Sequence, residues 1–427
     1  MKKVFVILLL LTTSVLAQFP GHRRENIIRN RTPFFSEVHV IPADSTNIID
    51  YVYKIPYNQL TFIKDDNKYQ AALSLAVEVH DTSGQFIYRQ INQTNITVSS
   101  FEETNSADNY CKDFIVFHLP NDEYNFLPVI TDMQSGQEVR LEKKKVMKIR
   151  PDSAKILAPI VLNENKIESK GKEYPVLTNF EDAIPFSPMQ YELAIPYKDT
   201  SVQKIYVRII DEKDTVYSSY INKSFFSDLS LSKVDGQIVM NANHGPNDYR
   251  IFILNNFSNL LSEGRVKIVV AENKDGLDSK TFYKNVIWFN KPFSLLNPEF
   301  AITSLKYIES DSLISKLLDA DSKEYPEELQ KYWHKYDPTP KTKFNELMNE
   351  YYNRIDYAMK NFSPLSGDNG ADTDRGRIYI KYGMPEKIER SSNDDGKVEE
   401  LWIYTKENLS FRFVDKNGTG EFPLAKG

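Results

Sequence analysis

A single cysteine in 427 residues, Cys111, excludes an intramolecular disulfide, so the chain must hold its folds by packing alone. Cys111 stands just ahead of an apolar run, where a thiol packs rather than attacks. Six histidines (His22, His39, His80, His118, His244, His334) never take His-x-x-x-His or His-Glu-x-x-His spacing, which argues against zinc. Gly-x-Ser-x-Gly and Gly-rich phosphate loops are missing, so the sequence indicates neither a nucleophile elbow nor a cofactor. With 16 Gly and 21 Pro the chain is not collagen-like or of low complexity. Positive charge is short as well: 53 Lys+Arg against 59 Asp+Glu give −6, which removes the attraction that sequence-independent nucleic-acid binding needs. No nucleic acid is expected as a partner.

Apolar residues make up 41% and aromatics 12%, with 25 Tyr and 25 Phe, which describes a globular chain long enough for about three domains. Residues 1–17 read as a secretory signal peptide: Lys2 and Lys3, an apolar run from Val4 to Leu11, then Val15 and Ala17 at the −3 and −1 positions of a cleavage site. Export to the periplasm, cell surface or exterior is the resulting expectation. The mature chain, at −8 (51 minus 59), has no stretch of 18 uncharged apolar residues, so no transmembrane span is expected. Residues 18–33 are polar and basic, with Arg23, Arg24, Arg29 and Arg31, and read as a flexible lead-in or docking arm.

From Phe34 the pattern alternates with period two, as in Leu73, Leu75, Val77 and Val79, the mark of strands with one buried face. Leu75-Ala-Val-Glu-Val-His-Asp81, followed by Phe86-Ile-Tyr88 and Ile91, returns 130 residues later as Ile205-Tyr-Val-Arg-Ile-Ile-Asp211, followed by Val216-Tyr217 and Ile221. Leu127–Asp132 resembles Val266–Ala271 in the same way. The repeat predicts two immunoglobulin-like β-sandwich domains, residues 34–150 and 151–292. Residues 293–427 then read as a small α+β domain, helices on an antiparallel sheet. Asn297-Pro298 opens a helix over 298–308. Further helices are expected over 311–320, 326–336 and 341–361, and strands over 376–382, 398–404 and 409–414.

Tyr332-Trp333-His-Lys-Tyr-Asp337-Pro338-Thr339-Pro340, Gly370-Ala-Asp-Thr373-Asp374-Arg375-Gly376-Arg-Ile-Tyr-Ile-Lys-Tyr382-Gly383-Met-Pro385, and the hairpin from Leu401-Trp402 to Phe422 occur in order. Together, over about residues 295–425, they resemble the bacterial GWxTD domain, with Ala371 in place of the tryptophan that names it. The resemblance implies an exported protein of Bacteroidetes-type bacteria and names no reaction.

Physically, Asp337-Pro-Thr-Pro340 stops one helix and allows the next. Thr373-Asp374-Arg375-Gly376 reads as a loop entering a strand, with Arg375 offering a fork to a carboxylate such as Asp337; the alternative is a ligand site. Tyr332, Trp333 and Tyr336, with Trp402 and Tyr404, either bridge helix and sheet in the core or form a surface that stacks on a partner. Two acidic loops, Asp368/Asp372/Asp374 and Asp415/Asn417/Thr419, are the places where calcium is weighed; the second would put Lys426 where a calcium loop needs Glu, so Asn417-Gly418 reads as a hairpin turn instead. The expectation is a non-catalytic scaffold whose C-terminal domain binds an envelope protein or cell-wall component through Trp333, Asp337, Thr373, Asp374, Arg375, Tyr382 and Trp402. Its rivals are a hydrolase of glycan or peptide using acids of the 368–374 loop, and a calcium-stabilised adhesin.

Overall fold

The computed structural model describes residues 34–42, 46–149, 155–242, 248–276, 278–392 and 395–425. The expected signal peptide over 1–17 and lead-in over 18–33 lie outside these residues. The chain is mostly β, its sheets are largely antiparallel, and the helices gather in the C-terminal region. It divides into two compact units, one running to Ile149 and including Lys233–Ile238, the other holding the rest.

The first unit is built from β1 (Phe35–Ile41), β2 (Asn47–Pro56), β3 (Ile63–Asp65), β4 (Lys68–His80), β5 (Phe86–Val98), a short helix α1 (Phe101–Thr104), β6 (Tyr110–Leu119), β7 (Tyr124–Asp132), β8 (Glu138–Arg140) and β9 (Lys144–Val146). One sheet runs β1-β2-β6; in the other, β4 pairs with β5 and β7, and β8 and β9 pair with β7. Alternation on β4 sends Leu73, Leu75, Val77 and Val79 to one face, where they share a core with Tyr51, Tyr53, Phe117 and Phe126 from β2, β6 and β7. Each such aliphatic side chain contributes about 1.5–3 kcal/mol on burial.

The second unit opens with β10 (Ile160–Asn163), β11 (Ile167–Ser169), β12 (Lys172–Tyr174), β13 (Ile184–Pro185), β14 (Tyr191–Tyr197), β15 (Ile205–Asp211), β16 (Asp214–Ile221) and β17 (Ser224–Ser227), continues after a hairpin of β18 (Leu231–Val234) and β19 (Gln237–Met240), whose residues 233–238 count with the first unit, and goes on to β20 (Tyr249–Leu254), β21 (Gly264–Ala271) and β22 (Lys280–Ile287). Its sheets run β10-β14-β20-β17 and β13-β22-β21-β15-β16, around a core of Leu193, Ile195, Phe252, Val207, Ile209, Ile268 and their neighbours.

The internal repeat is visible in the strand order. β5-β4-β7 matches β16-β15-β21, and β1-β2-β6 matches β10-β14-β20. Even an irregularity recurs: the β4–β5 ladder shifts between Val79 and His80, the β15–β16 ladder between Ile209 and Ile210, which are aligned positions. The ladders correct the sequence pairing of the returning strands by one residue. Tyr88 lies opposite Val79 and Tyr217 opposite Ile209, so Tyr88 and Tyr217 are counterparts, as are Ile91 and Tyr220.

The C-terminal region continues with α2 (Pro298–Thr303), α3 (Asp311–Leu318), α4 (Tyr325–His334), α5 (Glu346–Asn361), α6 (Asp374–Tyr382) and a sheet of β23 (Lys387–Ser392), β24 (Val398–Tyr404) and β25 (Leu409–Val414). Asn297 caps α2 through Phe300 N–H, as its position before Pro298 requires. α5 opens at Glu346 rather than near Pro340, because Asn345 supplies the cap to Met348 N–H while residues 339–342 close a turn. The expected strand 376–382 is a helix: Thr373 caps it, and Gly383 at φ 81° ends it ahead of Pro385. The third strand of the sheet is 387–392 instead. Its side chains are all exposed and carry no alternation to read.

Candidate functional site

The C-terminal core is aromatic. Tyr351, Tyr352 and Trp333 lie ring to ring at 5.1–5.8 Å, and Trp333 donates its indole N–H to the Tyr352 hydroxyl at 3.4 Å. Tyr332 donates to Glu309 at 2.8 Å, and burial, reinforced by that carboxylate, pushes its phenol far above the ordinary range. Trp402 packs between Phe362 and Phe413, and half-buried Tyr382 sits against Tyr404 and Phe411. Trp402 thus bridges helix and sheet in the core, whereas Trp333 packs helix against helix. Asp337 closes its own turn by accepting from Thr339 N–H at 2.8 Å.

The Gly370–Asp374 segment is an interlock in which each residue type has a reason. Gly370 lies so close to the end of α5 that a Cβ would come within 2.6 Å of Ser363 N and 2.8 Å of the Phe362 carbonyl carbon. Gly376, in the first turn of α6, similarly leaves no room between itself and the backbone of Gly370 and Ala371. Thr373 donates its hydroxyl to the Gly370 carbonyl at 2.7 Å and accepts from Gly376 N–H at 3.0 Å, tying loop to helix start. Asp374 accepts from Leu424 N–H at 2.8 Å, holding the C-terminal strap. Position 371 is 1% exposed and filled by Ala371.

Arg375 does act as a clamp, but not on Asp337. Its guanidinium reaches Glu400 at 3.4 Å and donates to the Gly420 carbonyl at 2.8 Å, with its central carbon 4.1 Å from the Phe422 ring centroid. Glu400, itself buried, also accepts from Arg390 at 2.9 Å and from Trp402 Nε1 at 3.1 Å. Burial draws the Arg375 pKa down and the Glu400 charge opposes that pull. Glu400 escapes a reading by motif, yet the sequence carries a signal for it. It stands two residues before Trp402 on β24, so alternation places its carboxylate on the buried face.

Beside this network lies a recess of about 300 Å³, lined by Pro364, Asp368, Asp372, Asp374, Glu421 and Pro423 among others. The three acids expected at the mouth of a cleft are therefore gathered, but each of them is engaged. Asp372 accepts from Lys306 at 2.7 Å and Tyr307 at 3.0 Å, Asp368 from Ser366 at 2.7 Å, and Asp374 from the strap. A carboxyl raised by burial is found elsewhere, at Asp356, which accepts from Phe293 and Ser294 N–H. Asp415 closes the 415–420 loop by accepting from Thr419 and Gly420 N–H; burial opposes its charge, but these amides hold its carboxyl below the usual range. Among the described residues no three His, Cys, Asp or Glu side chains are grouped to hold a metal ion.

At the rim, Leu365 follows the lining Pro364 and is 85% exposed, and exposed Leu424 follows the lining Pro423. Among the described residues no helix is long and apolar enough to cross a membrane. No curated protein matches the chain. Residues 277–424 match the model of the GWxTD domain, starting earlier than the sequence motifs suggest and taking in β22. Trp288, just past β22, belongs to the C-terminal core and packs on Phe344 at 5.2 Å, which gives that earlier start a physical basis. The chain therefore carries a GWxTD domain in its C-terminal third, the family its motifs resemble.

Proposed function

We propose that this is an exported, non-catalytic protein in which two immunoglobulin-like β modules carry a GWxTD domain that binds an envelope protein or cell-wall component at the 364–374 recess. The immunoglobulin-like reading is supported by the shared strand order: β1-β2-β6 in one repeat and the first three strands of β10-β14-β20-β17 in the other, each beside a second sheet that contains β5-β4-β7 or its counterpart β16-β15-β21. The observation that carries the binding reading is Leu365. It stands 85% exposed on a loop pinned at its own N–H to Thr419 and, further on, by Gly370 N–H to Ser363. A fixed loop that holds a large apolar side chain in water beside a polar recess has the form of a contact surface.

The residues that would touch a partner are then Leu365, Asp368, Glu421 and Leu424, while Thr373, Asp374, Arg375, Trp333 and Trp402 hold them in place. The test uses the mature full chain as bait in envelope extract of its source bacterium, with Leu365→Glu and Leu424→Glu compared with wild type at equal melting temperature. A partner kept by wild type and lost by both variants supports the reading; a partner set unchanged by both overturns it. Hydrolysis of peptidoglycan fragments or casein that disappears in Asp368→Asn/Glu421→Gln would replace it with the hydrolase reading.

A further inference from the structure

A second surface, independent of the recess, lies at the edge of the first unit. β5 runs for 13 residues and, among the described residues, pairs with β4 alone, so along its other side every second residue turns its N–H and C=O outward. That free edge is roughly 40 Å long. Long open edges are normally blunted by charge, proline, bulges or a covering segment. Between Phe86 and Val98 there is no proline and one charge, Arg89, which faces Glu78 on the neighbouring strand at 3.9 Å. The ladder irregularity falls at the beginning of the strand and leaves Tyr88 to Val98 in regular pairing. Phe86, Ile87, Tyr88 and Ile91 are each between 44% and 54% exposed.

The counterpart strand shows how the same edge is guarded in the second repeat. β16 has eight residues, is preceded by Glu212 and Lys213, and begins with Asp214. Tyr220, the counterpart of Ile91, lies under the Lys204 ammonium at 4.7 Å and against Tyr206 at 5.2 Å, and accepts from Lys274 N–H at 3.1 Å. After Ile221 the chain leaves this sheet and forms β17 on the opposite one. β5 has its counterpart's place without its guards.

We propose that β5 is a self-association edge, pairing antiparallel with β5 of a second copy of this chain. Two features select a second copy. An antiparallel edge is complementary to itself, since each outward N–H and C=O of one strand meets its equivalent on the other about a two-fold axis. The edge is also close to neutral, so it neither repels its own kind nor selects a partner of opposite charge.

Sedimentation velocity of the mature full chain over a wide concentration range tests this. A dimer that dissociates on dilution and is lost in both Ile91→Lys and Ile87→Lys, with thermal melting unchanged and with Tyr220→Lys still dimeric, is the expected result. A wild-type monomer at every concentration, an open-ended polymer, or a dimer indifferent to both β5 substitutions overturns it. Hydrogen exchange reads the same contact with no substitution: amides of residues 86–98 should gain protection as concentration rises, and protection independent of concentration also overturns it.

Discussion

In the first β repeat Leu73, Leu75, Val77 and Val79 enter the core from one strand, and the loss of any one leaves three in place. In the GWxTD domain Gly370 alone lets a loop lie against the end of α5, and Glu400 is the buried carboxylate that neutralises Arg375. Alternation spreads stability over many equivalent contacts, whereas close approach and buried charge concentrate it in a few. The β repeats should therefore change gradually under substitution and the C-terminal domain abruptly.

Gly370→Ala should show this most sharply. The new methyl meets only backbone, at Ala358, Phe362 and Ser363, and no side chain can move to make room. Overpacking of this kind costs about 3 kcal/mol or more, and the expected outcome in a urea melt is early loss of the C-terminal transition with the first unit's transition unmoved. Leu75→Val, in the β core, should cost about 1 kcal/mol in the same melt. Equal losses would break the comparison.

Glu400→Gln comes next. It leaves Arg375 buried between Phe362 and Phe422 without its counter-charge, a loss of about 3–5 kcal/mol. Glu399, its neighbour on β24, lies 3.9 Å from the exposed Arg412, and its replacement by Gln should cost less than about 1 kcal/mol.

The first unit also buries a charge-bearing group, and it does so differently. Lys54 lies on the face of β2 away from the core, its Nζ 4.8 Å from the Tyr110 ring centroid. Burial pushes its pKa down to about 6, nearby Lys112 pushes the same way, and Glu37 opposes. The unfolded chain then holds a proton that the folded one releases, so stability should rise as pH goes from about 6 towards 10, by at most about 1.4 kcal/mol per pH unit. Lys54→Met should flatten that slope in melts of the first transition. The GWxTD transition, whose Arg375 stays paired, should not share it.

Legibility in the sequence divides along the same line. Period-two alternation exposes the repeat, its hairpins and their core faces, because each residue's place is set by its neighbours two positions away. The helix over 374–382 reads as a strand from that pattern. Ile378, Ile380 and Tyr382 alternate by accident, while Thr373 as cap and Gly383-Met-Pro385 as stop carry the right answer. The Arg375 partner is out of reach of the sequence, since 25 residues and two turns of chain separate it from Glu400. So is the edge contrast between β5 and β16, which depends on where Lys204 and Tyr206 come to lie.

Thr373→Ala should cost less than Gly370→Ala or Glu400→Gln, and it separates the cap from the interlock. Its hydroxyl accepts from Gly376 N–H and donates to the Gly370 carbonyl, so alanine loses a helix cap and one partly buried hydrogen bond, together about 1–2 kcal/mol. Thr373→Ser keeps the hydroxyl in both roles and should restore nearly all of the loss in the C-terminal transition. If serine fails, the threonine methyl, not the cap, holds loop and helix together, and the G-x-x-T spacing is then a packing requirement instead of a hydrogen-bonding one. If serine succeeds and alanine costs no more than a surface substitution, the loop is fixed by Gly370 and the Asp374 strap alone, and stability in the domain is concentrated on those two residues still more tightly than the contrast with the β repeats requires.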